Sequence, residues 1–288
     1  MALYVGFDCL AYPGLDEMTW LKANTNLSWC GFYLAPAPSH SDSSWSGNRG
    51  DLIALGWGVA PIYVGQQTSG PGSHNVNGAQ GTTDGTDAAT LANAAGFPNA
   101  SFLYLDIEDG SALTDVAKAY VASWILAVVA GGYSPGIYCS HLIAQQVADL
   151  VDTLNPTPNT RIWAYKVTTV DPHPYTGDPA NFPSPNPSSS GFAGASALQY
   201  EQNAILSLPT APTTSLTVDL SSSNIQDPGA PGAAGIAEIS KLLFARPAKK
   251  KAAKKKKKSK NKGSRPLKGS SSKANVTRNS ARRKTSRR

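Results

Sequence analysis

The run Phe102-Leu103-Tyr104-Leu105-Asp106-Ile107-Glu108-Asp109-Gly110 sets four apolar or aromatic residues directly before three acids, and a glycine breaks it. A short, continuous apolar segment followed by a helix pattern reads as a strand of a parallel sheet, buried on both faces. Its acids then stand at the strand's C-terminal end. Side chains two apart on a strand share a face and lie about 6.6 Å apart along it, so Asp106 and Glu108 point one way and Ile107 and Asp109 the other. Close carboxylates do not both ionise freely. One of the pair is expected to hold its proton at neutral pH, the condition for a general acid.

Working outward, the same strand-then-helix unit recurs. Strands are expected at residues 3–7, 29–34, 59–64, 102–105, 136–140, 161–167, 196–200 and 216–220. Helices are expected at about 15–21, 47–55, 84–95, 114–130, 142–154 and 233–244. Val116, Tyr120, Trp124 and Val128 form the core stripe of the fourth helix. A long Gly/Ser/Asn loop, 66–83, is too polar to be buried, and loops of that length after a strand are usually functional or mobile. Residues 168–194 turn to Pro, Ser, Asn and Gly, where no helix persists. Strands alternating with helices imply a parallel sheet. The fold expected is α/β, a (β/α)8 TIM barrel, somewhat irregular between strands six and seven. A doubly wound open sheet is second choice, and its nucleotide-binding versions lack here the glycine-rich loop after strand one.

Charge divides the 288 residues unevenly. Residues 1–245 hold all 19 acids and six basic residues, a net of −13, whereas 246–288 hold 20 Lys and Arg and no acid. The first part is the size of one barrel. The second has too little apolar surface to offset its ordering entropy and is expected to be disordered. Its partner is a polyanion: nucleic acid, an anionic envelope polymer or anionic lipid. Cys9, Cys30 and Cys139 read as reduced core or strand-end residues, and neither they nor the four scattered histidines show metal-ligand spacing. No metal or cofactor is expected. The start, MALYVGFD, enters a strand with no standard secretory signal, and the longest apolar run, near 120–133, is too short to span a bilayer. The chain is expected to be made soluble in the cytoplasm, with another route delivering it if it acts outside.

In a TIM barrel chemistry sits at the C-terminal strand ends, where this chain places Asp8, Gln66, Asp106, Glu108, Tyr138, Trp163, Gln199 and Asp219. The ordered motifs GFD (6–8), YLDIED (104–109), GIYCS (136–140), RIWAY (161–165), LQY (198–200) and VDLS (218–221) resemble those of glycoside hydrolase family 25, the lysozyme-type muramidases. With PIYVGQ (61–66) the pattern is more similar still to the glycoside-hydrolase-like barrels of domain-of-unknown-function family 1906. Seven motifs in the correct order, over residues 3–244, make the resemblance specific. It implies that Glu108 protonates a glycosidic oxygen, with Asp106 its partner and Asp8 and Asp219 facing it across the mouth. It also implies Tyr138 and Trp163 as a stacking floor for a pyranose, with Gln199 a hydroxyl contact and Gln66 at the substrate. The expected function is hydrolysis of peptidoglycan-like or other cell-envelope polysaccharide. The alternatives are an inactive glycan-binding barrel and a nucleic-acid-associated protein acting through its basic tail.

Overall fold

The computed structural model describes residues 2–232. The expected helix at 233–244 and the basic tail, 246–288, lie outside these residues.

Five strand–helix units open the chain: β1 (Tyr4–Asp8) and α1 (Leu15–Asn24), β2 (Leu27–Tyr33) and α2 (Arg49–Ala54), β3 (Gly58–Val64) and α3 (Gly78–Ala94), β4 (Phe102–Ile107) and α4 (Asp115–Ala130), β5 (Ser134–Ser140) and α5 (Ala144–Asp152). Four strands follow, β6 (Arg161–Tyr165), the two-residue β7 (His173–Pro174), β8 (Ala195–Ser207) and β9 (Ser215–Ser223), with one short 3-10 turn, Pro187–Ser190, between β7 and β8, inside the stretch where no helix was expected. Strands β1 to β6 are parallel neighbours in chain order. Pairing of β6 with β8, β8 with β9 and β9 with β1 closes eight strands into a barrel. β7 lies outside the ring, on the far extension of β8.

β9 runs antiparallel to both neighbours, where strand-then-helix order predicted a fully parallel sheet. β8 continues to Ser207, well past residue 200, which leaves only residues 208–214 before β9. That is enough for a hairpin and too short for a parallel crossover.

Alternation along β4 positions the chemistry. Leu103, Leu105 and Ile107 pack outward into the layer beneath the helices, while Phe102 and Tyr104 belong to the cluster inside the barrel with Trp29, Ile62 and Trp163. Asp106 is the next inward position, so it stands on top of a column of aromatic rings. The interior has no spare volume: Trp163 meets Trp29 and Tyr104 edge-on at 5.2 and 5.7 Å, and a Cβ on Gly6 would lie 2.1 Å from the Trp29 ring.

The chain after β9 closes the opposite end. Asp227 accepts from the Val59 N–H, the Gly229 carbonyl from the Phe102 N–H, and the Pro228 carbonyl from the Tyr104 hydroxyl and Arg161 Nη1. Among the described residues, the segment after β9 is thus fastened across the lower end of the barrel.

Helix α3 begins six residues before the expected start. Asn77 caps it, its side chain accepting from the Gln80 N–H. Gly81, which read as loop, and Gly85, inside the expected helix, are there because α4 lies too close for side chains: a Cβ would fall 2.2 Å from the Tyr120 carbonyl and 2.6 Å from the Trp124 carbonyl. On α4, Tyr120, Trp124 and Val128 are core as expected, but Val116 is exposed. The three cysteines are free and buried. Among the described residues no helix is long and apolar enough to cross a membrane.

Candidate active site

Inward positions at the upper mouth of the barrel converge on one narrow cleft of about 40 Å³, lined by Asp8 of β1, Tyr33 of β2, Ile62 of β3, Asp106 of β4, Glu108, Tyr138 of β5, Trp163 of β6 and Asp219 of β9, with Gln202 of β8 at its edge. Asp8 and Asp219 are directly opposite each other in the β1–β9 ladder. All four expected acids are thus brought together. A larger cavity, about 480 Å³, is elsewhere, a groove between α3 and α4 lined by Thr82, Thr86, Thr90 and Tyr133. It holds no carboxylate, so size alone does not locate the chemistry.

The four acids differ in surroundings. Asp8 and Asp106 are 5% and 6% exposed. Asp8 Oδ1 accepts from the Tyr33 hydroxyl at 2.8 Å, while Asp8 Oδ2 and Asp106 Oδ1 have no hydrogen-bond partner. Burial first, then neighbouring carboxylates, pushes both well above the usual aspartate range; for Asp8 the neighbour is Asp219, for Asp106 it is Glu108 before Asp8 and Asp219. Asp219 is braced at both oxygens, Oδ1 accepting from the Asn203 N–H at 2.6 Å and Oδ2 from Gln199 Nε2 at 3.0 Å. Burial still lifts it to about 6, against the lowering effect of those donors. Glu108 stands exposed at the rim, and partial burial raises it too. The repulsion expected between Asp106 and Glu108 falls on Asp106, the deeper of the two.

Backbone irregularity makes the Asp219 contact. The β8–β9 register slips between Gln199 and Ala204, and Asn203 adopts a left-handed φ of 55°. That bulge turns its N–H onto the carboxylate.

The loop after β3 fastens the end of β4. Gln67 Nε2 donates to the Asp106 carbonyl and its Oε1 accepts from the Glu108 N–H, each at 3.0 Å. Thr68 and Ser69 donate to Asp109, whose carboxyl is held down to about 2, chiefly by Thr68. Asp109 points away from the cleft, as alternation predicted. The Tyr165 hydroxyl donates to the Glu108 carbonyl.

Two expected substrate contacts, Gln66 and Gln199, have their side chains engaged by other partners, while Trp163 lines the cleft. Gln66 is buried with its amide spent on Asp84 and the Asn75 N–H. It and Gln67 point opposite ways, so the residue at the acid strand is the next one along. Gln199 is buried and holds Asp219. Trp163 is 1% exposed, its Nε1 donating to the Ser221 hydroxyl. It lies at the floor of the cleft, edge-on to Tyr138 at 5.2 Å. Tyr138 remains half-buried at the cleft.

Tyr33, Gln67, Gln202 and Asn203 were not among the expected residues. Tyr33 ends the second strand as Asp8 ends the first, a position the strand-end rule would have found. The others depend on loop geometry. Tyr33 is itself backed by His40, stacked at 4.5 Å. Among the described residues no group of three or more His, Cys, Asp or Glu side chains is arranged to hold a metal ion.

A family model described as Rv2525c-like, glycoside hydrolase-like domain matches residues 20–203. That span contains Asp106 and Glu108 and stops short of Asp8 and Asp219. Among solved structures, an uncharacterized protein from B. stearothermophilus is similar with a TM-score of 0.54 at 21% identity, over 76% of this chain and 94% of that one. The Tat-secreted protein Rv2525c of Mycobacterium tuberculosis, in complex with HEPES, gives 0.49 at 15%, over 79% and 97%. A family 25 glycosyl hydrolase from Bacillus anthracis gives 0.48 at 15%, over 79% and 94%. No curated protein sequence matches the chain.

Proposed function

The chain belongs to the Rv2525c-like, glycoside hydrolase-like family, and from that premise we propose that it hydrolyses glycosidic bonds of a cell-envelope polysaccharide, peptidoglycan-like in kind, by carboxylate acid/base chemistry. The observation that carries this reading is the meeting of four carboxyls with unlike surroundings at one barrel mouth. Glycoside hydrolysis needs one carboxyl that delivers a proton and one that stays ionised. Glu108, raised and exposed at the rim, is the general acid that protonates the leaving oxygen. Asp219, its two oxygens fixed by donors that favour the anion, stabilises positive charge on the sugar ring. Asp8 and Asp106 sit deeper and set the field between them. Tyr138 is the aromatic that a ring lying over the cleft would meet.

The basic segment 246–288 is assigned to a polyanion on the same surface, which holds the enzyme near an insoluble substrate.

Glu108→Gln tests the catalytic reading. General-acid catalysis contributes about 10²–10⁴-fold, so the variant should lose at least a hundredfold in release of reducing ends from purified cell wall while still co-sedimenting with it. Wild type releasing none from a broad polysaccharide panel would overturn hydrolysis and leave a glycan-binding barrel.

A further inference from the structure

The cleft has an excess of acceptors and negative charge. None of the residues lining it is Lys, Arg or His. Two of its carboxylates, each more than nine-tenths buried, keep an oxygen with no donor, Asp8 Oδ2 and Asp106 Oδ1. A buried polar atom without a partner costs stability, and such atoms persist where a ligand completes them. The missing partner must be a donor, and a cationic donor answers both deficits. A metal ion does not fit the arrangement, because no three of the acids converge as ligands.

Size narrows the choice. The cleft holds about 40 Å³, far below the roughly 300–1,000 Å³ of a pocket that encloses a whole small molecule. A sugar ring stays outside and only a substituent enters. An ammonium group is of that size and carries three donors. An acetamido group is larger, and its methyl would face carboxylates.

We propose that the sugar ring lying over this cleft is an amino sugar with a free amine, a de-N-acetylated hexosamine unit whose ammonium enters between Asp8 and Asp106. The inference deepens the glycosidase reading and rests on it for the identity of the ligand as a sugar. In the free chain the two carboxyls relieve their own crowding by holding protons. The ammonium replaces that positive charge. The groups facing it are Asp8 from β1, Tyr33 from β2, Asp106 from β4 and Glu108 just past its end, Tyr138 from β5 and Asp219 from β9.

Full-length chain carrying Glu108→Gln, which does not consume the ligand, is titrated calorimetrically with a glucosamine tetramer, an N-acetylglucosamine tetramer, a cellulose tetramer and tetralysine. The glucosamine tetramer should bind at least about tenfold tighter than either other sugar, as expected for charge-assisted hydrogen bonds, and tighter than tetralysine. In Asp8→Asn and in Asp106→Asn that preference should fall to about twofold or less, and either variant suffices if the other does not fold. Equal or tighter binding of the acetylated tetramer overturns the proposal. So does tetralysine matching the glucosamine tetramer, since attraction to an acidic surface would then be the whole effect. Because binding is read without turnover, failure of hydrolysis on every wall substrate would sink the glycosidase reading and leave this result standing.

Discussion

At the scale of the residue, the site trades stability for chemistry. Asp8 and Asp106 hold protons more tightly folded than unfolded, so the native state binds more protons than the unfolded chain above the unfolded aspartate value of about 3.9. Their stabilising balance is therefore best at low pH and is lost as pH rises through the folded values. Asp106→Asn should raise Tm at pH 7 by roughly 2–4 °C, the equivalent of about 1 kcal/mol in a domain of this size, and the gain should shrink toward pH 4. A calorimetric series over that range checks it, and a variant less stable at pH 7 would show that Asp106 is better satisfied than its orphaned oxygen indicates. Asp219 makes a second case. It titrates near 6, and if it must be ionised, kcat/KM on glycan falls below that pH. Gln199→Met removes one donor to the anion. A hydrogen bond to a charged group is worth about 1.5–3 kcal/mol, and a pKa unit about 1.4 kcal/mol, so the acid limb should move up by about one to two units. An unmoved limb would separate Asp219 from the ionisation that governs rate.

At the scale of the element, helix packing and strand ends depend on residues that look like loop. Gly81 lets α3 lie against the carbonyls of α4, and Gly81→Ala forces the two apart. Overpacking of this kind costs about 1–3 kcal/mol, which urea unfolding should register as a lower midpoint at unchanged slope. Gly50, in α2, is the control: a Cβ there meets nothing within 4 Å, and Gly50→Ala should stabilise by about 0.4–1 kcal/mol through the unfolded chain. If both substitutions act alike, helix propensity rather than interhelical contact governs α3. The loop after β3 is the other such element. It was expected to be functional or mobile, and through Gln67, Thr68 and Ser69 it grips the end of β4 on both faces, so the position of Glu108 depends on a segment that carries no acid.

At the scale of the whole molecule, the net −13 of residues 1–245 and the 20 cations after them call for different partners. Truncation after Ala245 should leave hydrolysis of small soluble glycan fragments unchanged and lower activity several-fold on insoluble anionic wall. High salt should mimic the loss in the full chain, because each neutralised phosphate releases counterions. Recovery of full-length and truncated chains from lysate with and without nuclease separates the partners. Nuclease-sensitive recovery without wall association would sink the tethered hydrolase and favour a nucleic-acid role.

The sequence by itself determined the α/β class, the order of the eight barrel strands and the bounds of most of them, and three acids at strand ends, Asp8, Asp106 and Glu108, whereas Asp219 falls within the antiparallel β9, level with Asp8. These follow from local rules: apolar run length, side-chain alternation and the placement of polar residues where a buried strand stops. Tertiary structure alone decided the rest. The direction of β9 depends on where β8 ends, and β8 runs on because its extension finds partners in β7 and β9. Whether Gln66 or Gln67 faces the acids is a matter of one residue of twist past a strand end. That Trp163 floors the cleft while Gln199 and Asn203 both serve Asp219 depends on what lies across the barrel, often tens of residues away. Composition and spacing carry no record of such distances, which the chain acquires only when its sheet closes.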